Sequence, residues 1–169
     1  MSSSTSYRRR LRLKGTPCPG EAAALTRLVY ISAVAIARGQ GHFRSELADI
    51  MAACERYNPR AGITGVLVYD RGRFIQMLEG PKAAIDEVYA RICNDTRHTE
   101  VTLLLNEPAS ERRFDDWAMA FANAGDAPLP VRASSGWREL EREALLARLR
   151  EIHDHHAVMN LRSVTRASP

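Results

Sequence analysis

Apolar residues fall along the chain in two rhythms: dense, strand-like runs, and stripes spaced three to four residues apart. Arg27 to Ala33 reads as a strand whose loose alternation suits a central position. A Gly-containing stretch, Arg38 to Gly41, precedes a predicted helix over Phe43 to Tyr57 with Phe43, Leu47, Ile50, Met51 and Cys54 on one stripe. Asn58-Pro59 is expected to end it, because the residue before a proline avoids the helical region. Ile63 to Tyr69 is a β-forming run, Asp70-Arg71-Gly72 supplies turn chemistry, and Arg73 to Leu78 runs back as the second arm of a hairpin. Gly80-Pro81 opens a second helix, about Pro81 to Asn94, striped by Ile85, Val88, Tyr89 and Ile92. Val101 to Leu105 and Phe114 to Phe121 read as the last strands, with a polar, charged loop between them.

The order predicts an α+β fold: a ferredoxin-like βαββαββ sandwich with a C-terminal helix. The expected organisation is a disordered basic arm (1–24), a folded domain (25–123), a linker (124–136), an amphipathic helical cap (137–160) and a frayed tail (161–169). The cap helix, Trp137 to about His156, carries Leu140, Ala144, Leu145, Leu149 and Ile152 at helical spacing. That stripe must pack either on the sheet face that the two other helices leave uncovered or against a second chain.

Composition narrows the class. The chain has 169 residues, 45% of them hydrophobic, which suits one globular domain with appendages. No apolar run approaches the roughly 20 residues that span a bilayer, and no membrane partner is expected. Arg8, Arg9, Arg10, Arg12 and Lys14 face a single acid, Glu21, in the arm, so the whole formal charge of +4 belongs there. A folded nucleic-acid-binding surface would carry its own basic patch, so none is expected on the folded domain. Cys18, Cys54 and Cys93 lack metal spacing; Cys54 and Cys93 fall on apolar helical positions, which fits a reducing cytoplasm. His153 and His156 share a helical face without a third ligand and read as an exposed helix end.

Several polar residues resist a plain core. Gln76 interrupts Phe74-Ile75-Gln76-Met77-Leu78; it is either a glutamine on an edge strand or a buried amide that needs partners. Tyr30 lies mid-strand in Leu28-Val29-Tyr30-Ile31-Ser32 and alone would be a core tyrosine. Asn58 alone would be a helix cap. Arg91 lies three residues after Val88 on the second helix, whose stripe otherwise faces the sheet, and Asp95, Arg97 and His98 crowd that helix's C-terminal end, where bases favour the dipole. Together they suggest a cleft between two helices, floored by Tyr30 and Gln76 and rimmed by Asn58, Arg91 and Asp95. Its amides both donate and accept, which suits a flat heteroaromatic ring with carbonyl and N–H edges. Flavin is one such ring.

Leu28 to Ser32, Asn58 with Gly62-Ile63-Thr64-Gly65, Phe74 to Gly80, Asp95-Thr96-Arg97-His98 and Phe114 to Met119 resemble, in order, the BLUF domain, which senses blue light using FAD. The resemblance covers about Leu25 to Ala122 and makes 25–123 a domain that holds flavin non-covalently between its two helices, FAD by family and FMN as the alternative. It implies that Tyr30 is the photoactive tyrosine, Gln76 the switching glutamine and Asn58 the residue bonding the ring carbonyl. Ser32 joins the implied flavin contacts. Arg91 and Asp95 match positions near the pyrimidine edge, and Arg97 and His98 positions near the ribityl phosphate. Trp117 and Met119 match the strand whose in-or-out placement varies in the family. The implied cycle moves an electron, then a proton, from Tyr30 by way of Gln76, which ends rotated, tautomerised or both. Tyr57 stands where relatives have Asn or His, and the segment after Tyr30 is longer than theirs. The implied partners are flavin, a second copy in a homo-oligomer, and an unidentified effector protein. Rival readings are an enzyme using Arg91, Asp95 and His98, and a plain interaction module. No motif sets a nucleophile beside a base and no Gly-rich phosphate loop occurs, so a sensor, not an enzyme, is expected.

Overall fold

The computed structural model describes residues 24–36, 40–115, 118–126 and 136–165. Trp117, nearly all of the basic arm, most of the expected linker and the last four residues lie outside them. The elements run β1 (Leu25–Val34), α1 (Gln40–Ala61), β2 (Thr64–Asp70), β3 (Arg73–Pro81), α2 (Lys82–Cys93), β4 (His98–Ala109) and β5 (Ala120–Asn123). Two short 3₁₀ turns, Ala124–Asp126 and Trp137–Glu139, lead toward α3 (Arg142–Thr165). The sheet order is β4-β1-β3-β2-β5; β5 joins β2 in parallel and every other pair is antiparallel. This is the expected ferredoxin-like α+β sandwich with one added strand.

Alternation divides the sheet into two apolar faces. Leu28, Tyr30, Leu67, Phe74, Leu78 and Met119 point to the layer of α1 and α2. Val29, Ile31, Val66, Val68, Ile75, Met77 and Ala122 point to α3, which buries Leu145, Leu146, Leu149 and Ile152 there. The C-terminal stripe is thus covered by the chain's own sheet, which removes the stripe as the basis for a second-copy interface. Its membership also changes: Ala144 is exposed and Leu146 is buried. The Trp137 indole N–H donates to Asp70 Oδ2 at 2.7 Å and pins the start of this layer to the β2–β3 hairpin. His153 is not an exposed end residue; its ring packs edge-on against Phe114.

Helix α1 does not stop at Asn58-Pro59. It continues to Ala61 with Pro59 inside it. The ending is a Schellman closure: Ile63 N–H donates to the Asn58 carbonyl and Gly62 N–H to that of Pro59. Gly62 takes the left-handed conformation, φ 66°, that this closure requires. Three residues later a Cβ on Gly65 would stand 2.0 Å from the Met77 carbonyl oxygen, so only glycine lets β2 approach β3 there. β4 is longer than expected and carries register shifts either side of Tyr30. β5 is shorter: Arg113 and Phe114 give their N–H groups to Glu79 Oε2 instead of a strand partner. The helix α3 runs past Asn160, where fraying was expected. Cys93 is exposed rather than buried. No helix among the described residues is long and apolar enough to cross a membrane.

Candidate functional site

Tyr30 on β1 and Gln76 on β3 are directly paired in register, so both side chains leave the sheet on the α1/α2 face. Tyr30 is fully buried and Gln76 is 3% exposed. The phenol donates to Gln76 Oε1 at 2.7 Å. Gln76 Nε2 in turn donates to the Met119 thioether sulfur at 3.3 Å. The amide in mid-strand is therefore buried and partnered, which settles the edge-strand alternative: β3 is the central strand.

Burial pushes the Tyr30 phenol well above its ordinary value of 10.0, helped by Cys54, Asp95, Cys93 and Tyr89. The phenol keeps its proton at any ordinary pH. Burial also raises the Cys54 thiol to about 11, so the thiol stays neutral beside the site.

Ser32 and His98 share a hydrogen bond of 2.9 Å between Oγ and Nδ1. The imidazole packs 6.1 Å from the Tyr30 ring and 5.2 Å from Phe74. His98 is placed by the turn before it. Asp95 Oδ1 accepts the Arg97 backbone N–H at 2.9 Å, an Asx turn, and His98 N–H donates to the Asp95 carbonyl. The Asp95 carboxylate also grips the Arg97 guanidinium through Nε and Nη2, which holds its pKa below the usual 3.8. Arg97 reaches on toward Glu46 of α1 at 3.6 Å.

Asn58 is 2% exposed and donates to the Ala118 carbonyl at 2.8 Å, next to Met119. It is not an exposed cap, and its side-chain hydrogen bond goes to the backbone beside Met119 rather than to Tyr30 or Gln76. Arg91 stands apart from these residues. It pairs with Glu87 on its own helix and lies over the Tyr57 ring at 4.7 Å, while Tyr57 Oη donates to Glu87 at 2.9 Å. The partly buried Tyr57 thus joins α1 to α2 through an exposed hydrogen bond. The structure gathers Tyr30, Ser32, Gln76, His98 and Met119, adds Asn58 through Ala118, and leaves Arg91 outside; Trp117 is not among the described residues.

Sequence reasoning missed Glu79 and Arg112. Glu79 is fully buried and paired with Arg27 at 2.8 Å. Arg112 donates to Thr64 Oγ1 and to the Glu79 and Gly62 carbonyls. The available signal was an acid in an otherwise apolar strand and an arginine in the strand beside it. Asking only about Gln76 passed over it.

The donor set suits a flavin ring. Each primary amide has two N–H groups, and Gln76 and Asn58 spend one apiece within the chain. Each keeps a second N–H that a ring acceptor could take, and the apolar layer on this face of the sheet includes Ile50, Ile63, Leu67, Phe74 and Ile85.

A profile of the BLUF family, sensors of blue-light using FAD, matches residues 25–120. The chain is 39% identical over 99 residues to photoactivated adenylate cyclase subunit beta of Euglena gracilis, covering 58% of this chain and 11% of that one. It is 32% identical over 95 residues to the blue light- and temperature-regulated antirepressor BluF of Escherichia coli (strain K12), covering 53% and 21% respectively. It therefore spans only a minor part of either relative. The dark-state structure of BlrB, a BLUF protein, superposes with a TM-score of 0.65 at 32% identity over 81% of this chain and 98% of that one. Fold and relatives agree on a blue-light sensor domain that uses flavin. The chain belongs to the BLUF family.

Proposed function

We propose that this chain is a cytoplasmic photoreceptor, not an enzyme, and that Tyr30 and Gln76 are its switch. The observation that carries the reading is the buried chain from Tyr30 Oη to Gln76 to Met119 Sδ, floored on β1 and β3 beneath α1 and α2. Bound flavin, FAD or FMN, supplies light absorption and a ring that accepts an electron; the residues supply position and a proton path. Gln76 and Asn58 would hold the ring edge, and Ser32, Asp95, Arg97 and His98 the side of the site where β4 begins. Arg91 would have to leave Glu87 to contribute.

Burial raises the Tyr30 pKa and keeps its proton in place; loss of an electron would itself make the phenol strongly acidic. Its hydrogen-bonded acceptor is Gln76 Oε1. The amide would pass the proton on toward the bound ring that had taken the electron, and return of both to Tyr30 would leave Gln76 rotated, tautomerised or both. A rotated amide would give up the bond to Met119 and turn its N–H toward a ring carbonyl.

The enzyme reading is disfavoured because Arg91, which it needs beside Asp95 and His98, is paired with Glu87 on its own helix. Output would pass through the opposite face. Arg150 on α3 donates to the Arg113 carbonyl at 2.6 Å, in the segment that leads to Met119. The partner, an effector protein or a second copy, would meet the outer side of α3. The test is the spectrum of the purified protein after FAD is offered in darkness. A yellow protein with a reversible red shift under blue light supports the reading; a colourless one contradicts it.

A further inference from the structure

The segment from Arg112 to Met119, described at 112–115 and 118–119, carries the thioether that accepts from Gln76, and the chain fastens both described pieces. At its start, the carboxylate of Glu79 takes the Arg113 and Phe114 N–H groups at 2.8 and 3.1 Å on one oxygen and Arg27 Nε at 2.8 Å on the other. Arg112 adds a fork. Its Nη1 donates to Thr64 Oγ1 at 2.8 Å and to the Glu79 carbonyl at 2.6 Å, and its Nη2 to the Gly62 carbonyl at 2.6 Å. One guanidinium thus ties the segment to the residue after α1, to the first residue of β2 and to β3. At the far end Asn58, in the last turns of α1, holds the Ala118 carbonyl at 2.8 Å. The same helix end therefore anchors both ends of the segment, and Met119 is what it delivers to Gln76.

We propose that Arg112, with Glu79, is a positioning residue that sets the seat of Met119 and so the dark-state orientation of Gln76. Neither residue hydrogen-bonds Tyr30 or Gln76; they act through the end of α1, where Arg112, seated on the Glu79 carbonyl, holds the Gly62 carbonyl and Asn58 holds that of Ala118. The inference rests on the switch proposed above. An amide returning to its dark orientation needs the sulfur already in place. A loosened seat slows that return. Lysine cannot replace the fork, since one ammonium cannot span three acceptors on two sides of a planar guanidinium.

The test uses the full-length, flavin-loaded protein and the rate at which the red shift decays in darkness. Arg112→Lys should recover about threefold more slowly, the factor expected of one weak hydrogen bond. Met119→Leu should slow recovery similarly. The double variant should be no slower than Met119→Leu alone, because both changes remove the same seat. A merely structural arginine would lower thermal stability and leave recovery unchanged. If Arg112→Lys does not retain flavin, Thr64→Val removes one of the fork's acceptors with little change of shape and should slow recovery in the same direction. Wild-type recovery in these variants, or additive slowing in the double variant, overturns the inference. A wild-type protein without any red shift, or a normal shift in Gln76→Leu, overturns the switch itself and is distinguishable from those outcomes.

Discussion

Tyr30 and Gln76 face each other on neighbouring antiparallel strands, and the phenol donates to the amide oxygen at 2.7 Å. The direction of that bond fixes the rest. With Oε1 turned to Tyr30, the Gln76 amide nitrogen has Met119 Sδ as its partner at 3.3 Å. Tyr30→Phe removes the donor and keeps the ring. The variant should bind flavin, stay fluorescent under blue light and show no red shift. A full red shift in that variant would exclude Tyr30 as the donor.

Asn58 has become a tie as well as a candidate ring contact. Asn58→Ala leaves the Ala118 carbonyl without its donor in a part-buried place, at a cost of about 1–3 kcal/mol. Urea unfolding of the flavin-free protein should show that loss. Flavin release should be faster as well, since the second amide N–H goes with the first.

His98 gives the site an acid limit. Burial lowers its pKa below 6.5, against the opposing pull of Asp95 and with the help of Arg97. Near that value the folded state binds fewer protons than the unfolded chain. The stability contributed by neutral His98 is thus present above pH 6.5 and is lost as the pH falls through the lowered folded value. Thermal midpoints should drop between pH 7 and 5 in the wild type, and His98→Gln should flatten that drop. Asp95, held below 3.8 by Arg97, adds its own loss only at more acid pH.

The C-terminal helix is part of the domain's core. Leu149 is fully buried against the sheet, and Leu149→Ala should cost about 2–5 kcal/mol. Removing residues 137–169 would bare the face formed by Val29, Ile31, Val66, Val68, Ile75 and Met77. The truncated protein should aggregate; a soluble monomer of unchanged stability would show that α3 is dispensable to the fold.

Periodicity found β1 to β4 and the three long helices among the described residues, though with other bounds, because each carries apolar positions at regular spacing; β5 shares only Ala120 and Phe121 with the strand expected there. It failed where side chains replace strand bonds. Phe114 reads as strand from its neighbours, yet its N–H goes to Glu79, a partner 35 residues away. Pro59 read as a stop because the local rule sees only the preceding residue. The closure onto Gly62 lets the helix finish its last turn. At the site, Tyr30 and Gln76 were legible as polar residues in apolar strands. Arg91 was placed on the cleft rim by its spacing from Val88 and then by the motif, but its contacts run along its own helix to Glu87 and across to Tyr57. Arg112 sits in a loop, where charge is ordinarily unremarkable, so its three acceptors were invisible in sequence.

The central claim is that one amide is the switch, and Gln76→Leu tests it most directly. Leucine keeps the buried volume and removes both the acceptor for Tyr30 and the donor to Met119. Absorption spectra of the flavin-loaded variant should be recorded in darkness and again under blue light. The account expects a yellow protein whose two spectra coincide, beside a wild type that shifts to the red and returns. A reversible red shift of wild-type size in Gln76→Leu would contradict it.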